Sequence, residues 1–391
     1  MAHVTDHGGG VWSIPVPIPD NPLGHTLIYL LDTDDGPVLI DTGWDDPASW
    51  DALAAGLTEC GTAVSELRGV LITHHHPDHH GLSGQVREAS GAWIAMHPAD
   101  TDVVRRTRET DPLHWLGYLV DKLAAAGAPD DHLAPLTAAL AEGRARPLPG
   151  HRAALPDRAI EPGELLDLPG RRLRAVWTPG HTPGHVCLHL EEAHPAGRPG
   201  HGRLFSGDHL LPGITPHIGL YEGPAAGKGT AAGTPGDASA GPSASASASP
   251  SVSASTGISP DASASASAVV PAGAAIDPLG DYLASLERVA ALGPAEVLPA
   301  HQHPFTDAPA RVRELLEHHR ARLADLRELL ATPRTPWQLA VAMEWNRPWA
   351  GIPYSSRNIA VSETEAHLRR LVKLGHAEAV PGSEPVTYRA V

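Results

Sequence analysis

Cysteine is almost missing from this chain: Cys60 and Cys187 are the only two in 391 residues. Two thiols set up no disulfide framework, and Cys187, inside an apolar run, reads as strand core. Long apolar runs are missing too; none approaches the roughly 18 residues that a membrane span needs. Basic charge is scarce: Lys and Arg total 29 against 45 Asp and Glu, a formal net charge of −16. That balance argues for a soluble protein and against a surface built to track phosphate backbones. No platform of interleaved aromatic and basic residues, of the kind that stacks single-stranded bases, is visible. Met1-Ala2-His3-Val4-Thr5-Asp6 has neither a basic n-region nor an apolar h-region. No signal peptide is therefore expected, and the cytoplasm is the expected compartment. High Ala, Gly and Pro, with Arg far above Lys, suggest a GC-rich bacterial genome.

What the chain has in quantity is histidine, 25 in all. The densest stretch is Thr73-His74-His75-His76-Pro77-Asp78-His79-His80. Imidazole nitrogen and carboxylate oxygen are the ligands that suit Zn²⁺ and similar borderline ions. His74 and His76 stand two apart, as neighbours on one face of an extended or tightly turned segment do. Asp78 and His79 follow as a second pair. Two adjacent ions, each taking ligands from one loop, need such a spacing. An adventitious His-rich tract would stand alone. Here further apolar runs and turns deliver an Asp or a His: Val38-Leu39-Ile40-Asp41, Trp177-Thr178-Pro179-Gly180-His181, Leu204-Phe205-Ser206-Gly207-Asp208 and Val297-Leu298-Pro299-Ala300-His301. Loops at strand ends are where a rigid scaffold presents chemistry.

These five motifs, in this order, resemble the metallo-β-lactamase superfamily over roughly residues 10–305. The resemblance implies an α/β fold, the αββα sandwich, and two Zn²⁺ per chain, with iron or manganese suited to the same ligand types. It implies that His74, His76 and His181 hold the first metal, that Asp78, His79 and His301 hold the second, and that Asp208 bridges them. Asp41 would orient the histidine loop without ligating. The last motif departs from the usual Gly-His-Gly, reading Ala300-His301-Gln302-His303; His301, not His303, matches by position. His75, His80 and His185 are extra, and read as surface or outer-shell residues. Of these His185 is expected nearest to the substrate or to a ligand.

Elsewhere the organisation is read from periodicity. Residues 26–31 and 37–40 flank a five-residue hairpin loop, 32–36. Residues 50–59 and 81–89 read as helices, and 69–73 and 92–96 as strands. Residues 98–146 read as helices, among which His114, Trp115 and Tyr118 are candidate pocket residues. Residues 164–170 and 172–177 read as a hairpin leading to His181. Residues 224–274 are dominated by Ser-Ala repeats with Gly and Pro, and read as a disordered insertion in a catalytic domain spanning 1–305. Residues 306–391 read as a small C-terminal domain of three helices and a short hairpin, similar to the winged helix of β-lactamase-like hydrolases of the mitochondrial endoribonuclease branch.

Two ions about 3.5–4 Å apart can share a bridging hydroxide. The resemblance gives Asp78 the further role of shuttling a proton to the leaving group. The leading expectation is a hydrolase of a small thioester or ester, similar to the hydroxyacylglutathione hydrolases. The alternatives are a single-stranded RNA endonuclease that uses the winged helix, with Arg357, Arg369, Arg370 and Lys373 meeting phosphates, an iron-dependent persulfide dioxygenase, and a regulator with a decayed metal site. The complete ligand set argues against the last. The expected partners are a small-molecule substrate and, as a homodimer, a second copy of the chain, with no membrane and with nucleic acid disfavoured.

Overall fold

The computed structural model describes residues 3–145, 150, 152–221, 223 and 276–391. The stretch 224–274, read above as an insertion, lies outside the described residues. All the described residues, including the helices after residue 305, fall in one compact unit.

Two sheets form the centre. The first has seven strands in chain order: β1 (Thr5–Asp6), β2 (Val11–Pro17), β3 (His25–Leu31), β4 (Val38–Ile40), β5 (Gly69–Leu71), β6 (Trp93–Met96) and β7 (Arg158–Ala159). Pairing is antiparallel from β1 to β4 and parallel from β4 to β7. The second sheet comprises β8 (Leu173–Trp177), β9 (Val186–Leu190), β10 (Arg203–Gly207) and β11 (Glu296–Pro299), ordered β11-β10-β9-β8. Only its β10–β11 pair is parallel.

Period-two alternation decides what each strand buries. On β3, Leu27, Tyr29 and Leu31 enter a core between the sheets, where they meet Leu173, Ala175, Val186, Leu188 and Leu190. Ile28 and Leu30 point the other way, onto α1 (Pro47–Glu59) and α3 (Ser83–Ser90) through Leu53, Leu57 and Val86. Val176, Cys187, Leu204 and Val297 cover the far face of the second sheet. There they meet α7 (Pro278–Leu292) and α8 (Ala308–Leu329) through Tyr282, Leu286, Val312 and Leu315. Helices therefore flank both sheets, the four layers of an αββα sandwich.

The remaining helices are α2 (Pro77–His80), α4 (Pro98–Glu109), α5 (Pro112–Ala125), α6 (Asp130–Ala141), α9 (Pro336–Ala342) and α10 (Arg357–Lys373). The chain closes with β12 (Ala377–Ala379) and β13 (Tyr388–Ala390), an antiparallel pair. Among the described residues no helix is long and apolar enough to cross a membrane.

Two expected elements differ. Residues 164–170 form no strand; Leu165 makes a single bridge to Arg174. Hairpin bonds to β8 do form at its start, between Ala175 and Glu164 and between Leu166 and Leu173, but the Leu168 amide turns back onto the Leu166 carbonyl, so the arm leaves the sheet there while Leu166 and Leu168 stay in the inter-sheet core. α10 begins at Arg357, six residues before the expected start at 363, because burial of Ala360 and Val361 holds a turn that carries no capping side chain.

Candidate metal centre

Every candidate ligand stands where a strand ends or a loop turns. Thr73 to His76 leave β5, and the extended His76 backbone (φ −61°, ψ 149°) leads into Pro77, the first residue of α2. Proline fits this position because it lacks an N–H that would have no partner there. The turn of α2 then carries Asp78 and His79. Asp41 follows β4 in the left-handed region, at φ 64°. Its carboxylate accepts from the Thr73 amide, the Thr73 hydroxyl and His79 Nδ1, each at 2.8 Å. Gly207 at the end of β10 has φ 49°, and a Cβ there would stand 2.7 Å from His185 Nε2. Only glycine lets β10 deliver Asp208 at this point. His301 follows β11, and His181 lies in the turn between β8 and β9.

The chain brings these seven residues into two clusters, His74, His76, His181 and Asp208 in one and Asp78, His79 and His301 in the other. In the first, His74 Nε2 is 3.0 Å from His76 Nδ1 and 3.2 Å from His181 Nε2, and His181 Nε2 is 3.0 Å from His76 Nδ1. Their other nitrogens say which atoms carry protons. His181 Nδ1 lies 2.8 Å from the His217 carbonyl, which can only accept. The Thr73 hydroxyl gives its one proton to Asp41, so it accepts from His74 Nδ1 at 3.1 Å. His74 and His181 thus turn bare lone pairs toward each other, and such an arrangement is repulsive unless a cation sits among them. Tetrahedral coordination at about 2.0–2.1 Å per nitrogen would space the nitrogens about 3.3 Å apart, close to what the triangle shows.

The second cluster sets two histidines against two carboxylates. His79 Nδ1 donates to Asp41, and His301 Nδ1 donates to the His25 carbonyl at 3.1 Å. Their Nε2 atoms are buried with no hydrogen-bond partner, as is Asp208 Oδ1. Asp208 Oδ1 lies 3.2 Å from His301 Nε2 and 3.4 Å from His79 Nε2, while Oδ2 faces His181 Nε2 at 3.5 Å. One carboxylate therefore addresses both clusters. Asp78 Oδ2 stands 3.3 Å from His301 Nε2 and 3.6 Å from His79 Nε2.

Electrostatics separates the halves. Burial holds His74 and His76 well below the ordinary imidazole value and brings His181 down to about 4, leaving neutral imidazoles, the form that ligates. Burial opposes the charged form of His301 as well, yet Asp208 and Asp78 push it up to about 10. Against the same desolvation, the neighbouring histidines hold Asp78 and Asp208 below the usual carboxylate range. Carboxylates buried this deeply call for positive charge beside them.

The extra histidines stay outside the clusters. His185 is fully buried and stands behind a ligand: its Nε2 accepts from the Asp208 amide at 3.2 Å and its Nδ1 meets the Thr178 hydroxyl at 2.8 Å. His75 pairs with Asp100 at 3.1 Å, His80 is buried, and His303 is exposed. Trp115 and Tyr118 line a cavity of about 580 Å³, and His114 does not.

Besides the His25 carbonyl, sequence reasoning missed three further supports. Asp100, at the start of α4, is fully buried and accepts from the His75 amide (2.9 Å), the Thr182 hydroxyl (2.8 Å) and the Gly184 amide (2.6 Å), tying two ligand loops together. Tyr221 places its hydroxyl 3.2 Å from His76 Nε2. His217 acts through its carbonyl. None belongs to a recurrent motif, and a backbone acceptor leaves no trace in residue identity.

A mixed two-sheet α/β scaffold that gathers three histidine nitrogens, a shared carboxylate and a second carboxylate–histidine cluster defines a metallo-hydrolase. The chain belongs to the metallo-beta-lactamase superfamily, whose family model matches residues 21–301. It is 24% identical over 385 residues to a probable metallo-hydrolase, YqjP, of Bacillus subtilis, covering 96% of this chain and 94% of that protein. An acyl-coenzyme A thioesterase, MBLAC2, of Gallus gallus is 28% identical over 150 residues, 37% of this chain and 42% of that protein. A metallo-beta-lactamase family protein of Thermus thermophilus superposes with a TM-score of 0.68 at 28% identity, covering 98% of this chain and 99% of that one.

Proposed function

We propose that this protein is a dinuclear metal-dependent hydrolase of a small thioester or ester with an apolar acyl part. The observation that carries the reading is Asp208, whose two oxygens face two separate ligand clusters. His74, His76 and His181 would hold one ion and Asp78, His79 and His301 the other. Divalent ions held there supply Lewis acidity and make hydroxide available near neutral pH. The rest falls to the chain. Asp78, whose side chain is 15% exposed, is the cluster carboxylate most open to an incoming substrate. Thr26 Oγ1 stands 3.4 Å from its Oδ2 and donates to it. From there Asp78 takes up a proton and passes it to the leaving group.

A cavity that shares His217 and Leu220 with the segment meeting His181 and His76, and that none of the seven ligands lines, supports an apolar substrate part. Its walls include Trp115, Leu119, Leu123, Leu136 and Val361, and it is also lined by Leu220, the neighbour of the Tyr221 that meets His76. The partial likeness to an acyl-coenzyme A thioesterase points the same way. The RNA reading draws on α8, α9, α10 and the β12–β13 hairpin as a winged helix. Against it, Asp277 already engages Arg370 at 2.9 Å and Lys373 at 3.3 Å.

The test is metal content by plasma mass spectrometry, followed by turnover of an acyl-coenzyme A thioester and of single-stranded RNA. Two ions per chain with thioester cleavage are expected. Asp78→Ala should then lower turnover by about 10²–10⁴-fold while the first ion stays bound. RNA cleavage without thioester cleavage, or near-normal turnover by Asp78→Ala, would sink the reading.

A further inference from the structure

We infer that Glu363 on α10 is a positioning residue of the metal centre, acting on His181 through residues 217–221; the inference rests on the metal-binding reading above. His181 is oriented by a carbonyl, that of His217, and a carbonyl orients only as well as its own segment is held. Residues 215–221 lie in no helix or strand. They are held from outside. The Glu363 carboxylate accepts from His217 Nδ1 at 3.1 Å, and the Ser362 hydroxyl accepts from the Leu220 amide at 2.8 Å. Just before the segment, Arg311 of α8 donates to the carbonyls of Leu211 and Ile214 at 2.7 and 2.9 Å.

The far side of the segment touches the ligands, His181 through the 217 carbonyl and His76 through Tyr221. α10 and the histidines thus grip the same five residues from opposite sides. Glu363 is itself fixed from behind. His367 Nδ1 donates to its carbonyl at 2.8 Å and His319 Nδ1 meets His367 Nε2 at 3.1 Å, both buried between α8 and α10. The helices after residue 305 are in this sense part of the metal centre.

The experiment is a zinc titration of the full chain against a chromophoric chelator, with melting recorded for each variant. The step belonging to the first cluster is the one that His76→Ala abolishes. Glu363→Ala should weaken that step by about 10–100-fold, the usual cost of losing an outer support of a metal ligand. Glu363→Gln keeps an oxygen that accepts from His217 and should recover most of it. Ser362→Ala, which cuts the second tie, should shift the same step and serves if Glu363→Ala does not fold. Leu371→Ala, in the separate core between α8, α9 and α10, should lower the melting temperature without moving zinc affinity. Unchanged affinity in Glu363→Ala, or an equal shift in Leu371→Ala, would overturn the inference alone. A wild-type chain that takes up no zinc would overturn the metal-binding reading with it.

Discussion

Asp208→Ala is expected to leave at most one ion per chain and to abolish measurable hydrolysis. Its two oxygens are divided between the clusters: Oδ1 addresses His301 and His79, and Oδ2 addresses His181. Burial alone would raise this carboxyl, yet His301 and His79 hold it well below the usual range, which favours its ionised form. Removing one member of a buried charged set costs about 3–5 kcal/mol because the remaining charges lose compensation. As an affinity that is about 10²–10⁴-fold for the weaker ion. Asp208→Asn keeps the shape and withdraws the charge, so it should lose the second ion, and its metal-free fold should melt below wild type because His301 and His79 lose the charge that offsets them. Metal counts after desalting, with thioester turnover on the same samples, check both variants. Two ions retained by Asp208→Ala at near-normal turnover would refute the bridging role.

Asp41 ranks next, and two substitutions there should part ways. Its Oδ1 accepts from the Thr73 amide, and its Oδ2 accepts from both the Thr73 hydroxyl and His79 Nδ1. Asp41→Ala strips all three donors of their partner in a buried setting. Each donor left unpaired costs about 1–3 kcal/mol. His79 also loses the acceptor that turns its Nε2 inward, so affinity for the second ion should fall about 10–100-fold. Asp41→Asn can keep an oxygen at the Oδ2 position and lose only the Thr73 amide bond. Asparagine also tolerates the φ of 64° at this position better than alanine. The asparagine variant should therefore be less stable yet still load two ions. Thermal melts with and without chelator, beside a zinc titration, separate the outcomes. Equal zinc affinity in the alanine variant and the wild type would show that His79 needs no such acceptor.

Legibility in the sequence followed the kind of interaction. Strands such as β3 and β9 bury both faces, and in the sequence that shows as near-continuous apolar runs. The ligands are side chains on short loops, so their chemistry is written there too, and the chain brings all seven together. The order of the loops in space was not readable from spacing; it came with the resemblance. What stayed hidden acts through the backbone or across long separations. His25 and His217 contribute carbonyls, which any residue would supply. Glu363 meets a loop 146 residues earlier in the chain, and an ordinary helix-surface glutamate gives no warning of it. The curled arm at 164–168 was hidden for another reason. Leu166 and Leu168 are buried as strand residues would be, while the Leu168 amide turns to the local Leu166 carbonyl and ends the pairing that Leu166 makes with Leu173.

The position of α10 bears on how the chain tolerates length. Ser362 and Glu363, in the first half of this helix, grip the chain at residues 217–220, and Arg370 and Lys373, in its last turn, grip Asp277. A single rod thus clasps the chain on both sides of the span from 222 to 276. Lengthening such a span adds closure entropy only logarithmically, about 0.6 kcal/mol per doubling. Strain arising between the clasped points is therefore met, before it can reach the histidines, by a helix that begins more than eighty residues after the span.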